Sequence, residues 1–285
     1  MKKMIDEIDE HTVVAEVVML RAASDSAIVI VEGGSDEKFL SPHLEESCIF
    51  VFSFGKERAI SAIVRTNAMP VAGVLCIVDQ DYDGLFEDGP AIPNMISVEN
   101  DVETVLIRSP AFDRLLVELG SKPKLTAIRE AGQDTRVLVR DAAKDIGLLR
   151  IYSRRIGNKL RFDGMKYQFV GKNLLCDRAE MIRSIMNLSK IGRYNNTEIE
   201  NEIEKIEAEG FDVWRIVNGH DMTAIIGKAL QFKFGNLLSG SAKPDEVEKH
   251  LRMAYAKNNF DDSNLGKNLK DWQEANLDYP VYDAA

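Results

Sequence analysis

The chain has 285 residues, 45% of them apolar, with 46 acidic against 36 basic side chains and a net charge of −10. That length holds one well-buried core or two domains. No run approaches the ~20 apolar residues of a membrane span, and Met1-Lys2-Lys3-Met4-Ile5-Asp6-Glu7 lacks the apolar region of a secretory signal. Cys48, Cys76 and Cys176 stand apart among apolar neighbours and the four histidines are scattered. This argues against a disulfide framework or a zinc site and for a reducing cytoplasm.

The elements follow from periodicity. Val13, Val14, Val17, Val18 and Leu20 predict an amphipathic helix over 8–23, within an N-terminal segment 1–24. A buried strand over 27–31 comes next, and Asp36 opens a helix running to Leu44. A second strand over 48–52 leads to a helix over 56–66, and a third strand spans 71–78. Met95 to Val98 is a short fourth strand before a helix over 102–107. Strand–helix alternation at this spacing predicts an α/β fold, with a Rossmann-like parallel sheet over 25–108. Pro110 and Pro123 then open a mainly helical region, 109–285, with helices expected at 111–119, 123–132, 177–190, 197–209, 221–231, 244–257 and 266–275. Between them, Asp163-Gly164 suggests a hairpin or a basic loop over 161–169.

The chemistry concentrates at two strand ends. The first strand closes on Glu32-Gly33-Gly34-Ser35-Asp36, and the third on Asp79-Gln80-Asp81-Tyr82-Asp83. In a parallel sheet, ligands bind outside the carboxyl ends of the strands. If the two strands are neighbours, Glu32, Asp79 and Asp81 converge as hard oxygen donors suited to Mg²⁺ or Mn²⁺. Period-two alternation puts Asp79 and Asp81 on one side of an extended segment, an unfavourable pairing until a cation or proton neutralises it. Glu32 is a metal ligand, a general base, or a polar cap on a strand end. Asp83 is an occasional metal ligand or a turn former. Lys56, after Gly55 at the next strand end, suits a phosphate at the start of its helix or a solvated surface. Asp36 and Glu37 read as helix-start residues rather than ligands, while Asp101 and Glu103 read equally well as either.

A strand ending in Glu-Gly, followed by a strand ending in Asp-x-Asp, resembles the TOPRIM domain of topoisomerases, bacterial primases, some RNA-maturation nucleases and overcoming-lysogenization-defect nucleases. The fuller run, Val31-Glu32-Gly33-Gly34-Ser35-Asp36-Glu37-Lys38, Gly55-Lys56-Glu57, Val78-Asp79-Gln80-Asp81 and Asn218-Gly219-His220-Asp221, is similar to small stand-alone bacterial TOPRIM proteins, among them the AriB-type effectors of the PARIS anti-phage system. The resemblance covers about residues 25–108, with the His-Asp pair as a later anchor. It implies a Mg²⁺-dependent nuclease, toxic when freed from an ATPase partner, directed at host tRNA, and a homodimer when free. It points to His220 without assigning it a role; the residue itself suits phosphate binding, acid–base chemistry or a packed, hydrogen-bonded place, while Asp221 suits a helix N-cap.

Charge is uneven. From Lys122 to Arg183 there are fifteen basic against seven acidic residues, and from Glu198 to Asp212 seven acidic against one basic. Arg154, Arg155, Lys159 and Arg161 lie near Tyr152, Phe162 and Tyr167, a mixture that suits unpaired bases of RNA. The acidic stretch at about 197–210 offers docking surface for a basic partner. No Gly-Lys-Ser/Thr follows the Gly33-Gly34 turn, so the chain carries no P-loop there. The readings are therefore a TOPRIM nuclease acting on RNA, an inactive TOPRIM scaffold that regulates an ATPase or senses a nucleotide, and a DNA nuclease or primase-like nucleotidyl transferase.

Overall fold

A computed structural model describes residues 9–85 and 91–282. The chain divides into two compact units, one holding residues up to Val105 together with those from Ala256 on, the other Leu106–Tyr255. The helical region expected over 109–285 is thus not one body, because its last thirty residues return to the first unit.

The first unit is built on four parallel strands, β1 (Ile28–Val31), β2 (Ile49–Phe52), β3 (Val74–Asp79) and β4 (Met95–Val98), in the order β2-β1-β3-β4. Every residue of β1 is buried, as a central parallel strand covered on both faces requires. Helices α1 (Glu10–Ala23), α2 (Gly34–Leu40) and α3 (Lys56–Asn67) belong to this unit. Val13 and Val17 of α1 and Ala59, Ala62 and Ile63 of α3 pack with Ile28, Ile30, Val74, Cys76 and Val78, so the N-terminal helix is part of this core. Helix α2 ends at Leu40, four residues earlier than expected; Leu44 instead bridges the backbone of Tyr282. The return segment carries α13 (Lys257–Asp262) and α14 (Asn264–Ala275). Phe260, Leu269, Val281 and Tyr282 are buried, and Trp272 donates through Nε1 to Asn94 Oδ1 at 2.9 Å.

Helix α4 (Val102–Arg108) follows β4. The second unit is helical among its described residues: α5 (Pro110–Leu119), α6 (Lys122–Glu130), α7 (Thr135–Arg155), α8 (Arg178–Leu188), α9 (Asn196–Ala208), α10 (Val213–Ile216), α11 (Gly219–Phe232) and α12 (Pro244–Ala254). Helix α7, with 21 residues, lies where no helix was expected. Asp134 caps it by accepting from the N–H groups of Arg136 and Val137, and Val139, Ala142, Ala143, Ile146 and Leu149 form its buried stripe. Of the hairpin or loop expected over 161–169, the loop forms: a turn at Asp163-Gly164 leads into a single 3₁₀ turn, Tyr167–Phe169. Among the described residues, no helix is long and apolar enough to cross a membrane.

Candidate functional site

Strand order places the first candidate site. From β1 the chain crosses to β2 on one side, while β3 lies on the other, so the crevice between the ends of β1 and β3 is a topological switch point. Glu32 follows β1 and Asp79 closes β3. Glu32 Oε1 accepts from the backbone N–H of Asp79 at 3.2 Å, and Asp79 Oδ1 accepts from the N–H of Val102 at 3.2 Å. The two expected carboxylates are thus brought together by adjacent strands.

Asp81 is placed differently from expectation. It has φ +50°, outside extended backbone, so period-two alternation stops at Asp79. Its N–H donates to Asn100 O at 2.6 Å, which holds the turn beside the loop after β4. Its Oδ2 accepts from Lys56 Nζ at 3.2 Å, and the same ammonium meets Asp83 Oδ2 at 2.6 Å and Gln80 O at 2.9 Å. Lys56 is therefore neither solvated nor turned outward; it ties the start of α3 to the turn after β3. Gly55 precedes it at φ +135°, ψ 151°, a conformation that only glycine adopts readily.

Three further acids join the cluster. Asp36 accepts from the Gly33 N–H at 2.8 Å, as a residue of the α2 start should. Asp101 and Glu103 are each 4% exposed, and Asp101 Oδ1 accepts from the Thr104 N–H at 2.7 Å to cap α4. Burial pushes the Asp79 carboxyl well above its usual range, with the charges of Asp101, Glu103, Asp36 and Glu32 adding to it. Glu32 is also raised, by burial first and then by Asp36 and Asp81, against the opposing Asp79 N–H and Lys56 charge. The sequence signal for Asp101 and Glu103 was their place just after a strand end, which a helix-start role explains equally well.

The donor set is hard oxygen, and a divalent cation would relieve both the burial and the neighbouring acidic charge that raise Asp79 and Glu32. By chemistry the residues fit Mg²⁺ or Mn²⁺. Among the described residues, however, no three His, Cys, Asp or Glu side chains are grouped as ligands of one ion. The oxygens named above point instead at backbone N–H groups and at Lys56.

The remaining candidates belong to the second unit. His220 is exposed, at the second position of α11, and its carbonyl accepts from Thr223 Oγ1 at 2.9 Å. Asp221 is not the N-cap; Asn218 is, accepting from the Asp221 N–H. The Asp221 carboxylate is fully buried, takes both Nε and Nη2 of Arg150 at 2.9 Å, and accepts from the Tyr167 hydroxyl at 2.8 Å. Two charge-assisted bonds and a phenol make this a structural clamp between α7 and α11. Arg155 forms a paired contact with Glu209 at 2.6 and 2.7 Å, while Arg154 is exposed. Lys144 and Arg178 both reach Glu207, at 2.5 and 3.0 Å. Part of the basic stretch is thus neutralised by the acidic end of α9, within one unit.

The sequence matches no protein-family model and no curated protein.

Proposed function

We propose that the chain is a TOPRIM-type, metal-dependent nuclease acting on RNA, with Glu32, Asp79 and Asp81 as the metal-binding carboxylates and Asp83 as an auxiliary ligand. The observation that carries this reading is the Glu32–Asp79 contact at the β1/β3 switch point, where two acids with raised pKa face one crevice. When bound there, Mg²⁺ or Mn²⁺ would orient a substrate phosphate and stabilise charge on its oxygens. Glu32, half-buried and held by the Asp79 N–H, is suited to accept a proton from an attacking water. Lys56 supplies positive charge at the same strand ends and fixes the turn that carries Asp81 and Asp83.

The resemblance supplies the biology: a cytoplasmic anti-phage effector, silent in complex with an ATPase and cutting tRNA as a free homodimer. The test is to sequence RNA ends after inducing the wild-type chain and Glu32→Ala in a bacterial host. New tRNA ends in the wild type alone support the reading; identical end profiles overturn it. Co-expression with an ATPase encoded nearby, followed by size-exclusion chromatography, checks the partner.

A second reading, an inactive scaffold, is favoured by the absence of a three-ligand group among the described residues. Titration with Mn²⁺ separates the two, because a scaffold has no need to bind the ion at Glu32 and Asp79.

A further inference from the structure

The second unit contains a cleft of about 600 Å³ where the C-terminal end of α7 meets the segment joining α8 to α9. That volume suits a small planar ligand. Its floor is apolar, from Ile156, Leu160, Met186 and Ile199. Two tyrosines line it, Tyr152 from α7 and Tyr194 from the α8–α9 segment, and Tyr194 is 37% exposed. The edge is polar. Glu198 accepts from Asn195 Nδ2 at 3.0 Å and Glu202 from Lys205 Nζ at 2.6 Å, so each carboxylate is held in place with one oxygen engaged.

Two sequence-distant stretches converge here. Tyr152, Ile156 and Leu160 supply one wall, and Arg193-Tyr194-Asn195 supplies the other. Exposed Arg193 lines the cleft, and Arg154, Lys159 and Arg161 are exposed elsewhere on the first stretch.

We propose that this cleft holds an unstacked base of a single-stranded nucleic acid. Tyr152 and Tyr194 offer π-faces for stacking, the exposed cations suit the flanking phosphates, and the apolar floor shields the base from water. Glu198 and Glu202 accept hydrogen bonds and donate none, so they favour the bases with an exocyclic amine, adenine, cytosine and guanine, over uracil. An apolar protein side chain would gain nothing from two braced carboxylates. The proposal extends the nucleic-acid reading to a second site and does not depend on the strand-end carboxylates.

The test is fluorescence anisotropy of the full chain with fluorescein-labelled RNA decamers of A, C or U and an abasic decamer, in EDTA so that no metal-dependent cleavage intervenes. The A and C decamers should bind at least about fivefold more tightly than U, and the abasic decamer weakest. Tyr194→Ala should weaken A binding about tenfold, while Tyr194→Phe keeps it, because the ring and not the hydroxyl stacks. Glu198→Gln combined with Glu202→Gln should reduce the preference over U. Equal binding of Tyr194→Ala and wild type, or an abasic decamer bound as tightly as A, overturns the proposal and leaves the cleft to an apolar protein segment. Because no cleavage is read, failure here leaves the carboxylate site untouched.

Discussion

Glu32 and Asp79 are joined by one hydrogen bond, from the Asp79 N–H to Glu32 Oε1 at 3.2 Å, so the ends of two neighbouring strands share a single acidic crevice. Both side chains are half-buried at the strand ends and each accepts one backbone N–H. Glu32→Ala and Asp79→Ala should therefore leave the fold in place, with a change in stability of about 1 kcal/mol or less. If the crevice binds a catalytic cation, RNA cleavage should fall about a hundredfold or more, since a lost metal ligand removes several kcal/mol of transition-state stabilisation. Circular dichroism checks the fold and end-mapping checks the cleavage. Equal cleavage by wild type and both variants would remove these residues from the chemistry.

The same pair sets a pH dependence. Burial and neighbouring acids raise the folded-state pKa of Asp79 and of Glu32. The folded chain then holds protons that the unfolded chain has released, so this contribution to stability is full below the usual carboxylate pKa and is lost as pH rises through the folded values. A divalent cation that neutralises the pair should restore it. Mg²⁺ should raise Tm more at pH 8 than at pH 5 in the wild type, and the difference between the two pH values should shrink in Asp79→Asn. Thermal melts at 0 and 10 mM Mg²⁺ give the comparison.

Much of the first unit was legible because its signals are local. Short apolar runs marked the four strands, two of them closed by Gly and Asp, and the strand-end rule pointed to Glu32, Asp79 and Lys56. What was not legible depends on pairing across the chain. Asp81 leaves extended backbone because its N–H is taken by Asn100 O, a contact made after β4. The return of residues beyond Tyr255 to the first unit follows from burial of Phe260, Leu269 and Tyr282, and no local pattern marks it. Helix α7 is a different case. Its cap at Asp134 and its stripe at Val139, Ala142, Ala143 and Ile146 are present in the sequence, amid a dense run of Arg, Lys and Asp.

Asp221 carries a stability prediction. Its side chain is 1% exposed and answers Arg150, whose side chain is 21% exposed. Asp221→Ala leaves that guanidinium without its carboxylate in a partly buried place, which should cost about 3–5 kcal/mol. Tyr167→Phe removes one hydrogen bond and should cost about 1–2 kcal/mol. Urea denaturation measures both. A loss below 1 kcal/mol for Asp221→Ala would show that the clamp contributes little and reopen a functional role for this acid.

Gly73 reports on the return of the C-terminal segment. It has φ +69°, and a Cβ there would stand 2.3 Å from the Tyr279 ring. Its carbonyl also accepts from Ile28 N–H and from Arg21, whose guanidinium lies over the same ring at 4.5 Å. Gly73→Ala should destabilise by about 1–3 kcal/mol through backbone strain and displacement of the ring. Tyr279→Ala in the same background should recover the part due to the ring. Full additivity of the two substitutions would mean that the residues do not touch.

His43 makes a prediction of opposite sign to the acids. Its ring is 6% exposed and stacks on Phe260, with centroids 4.4 Å apart and planes 13° from parallel. Burial lowers its pKa from 6.5 to about 4; Lys257 lowers it further, and Asp261 opposes both. The unfolded chain therefore takes up a proton near pH 6.5 that the folded chain refuses until about pH 4. Stability present above pH 6.5 is lost as pH falls through that window, at about 1.4 kcal/mol per unit. At pH 5 the loss should be about 2 kcal/mol relative to pH 7. His43→Phe keeps an aromatic ring against Phe260 and removes the titration. Urea midpoints at both pH values, read as the difference between wild type and His43→Phe, isolate this group from the carboxylates, whose contribution moves the other way. If the two chains lose stability equally between pH 7 and pH 5, the histidine is not held neutral by its burial, and the packing of Phe260 and Tyr282 around it must be looser than described.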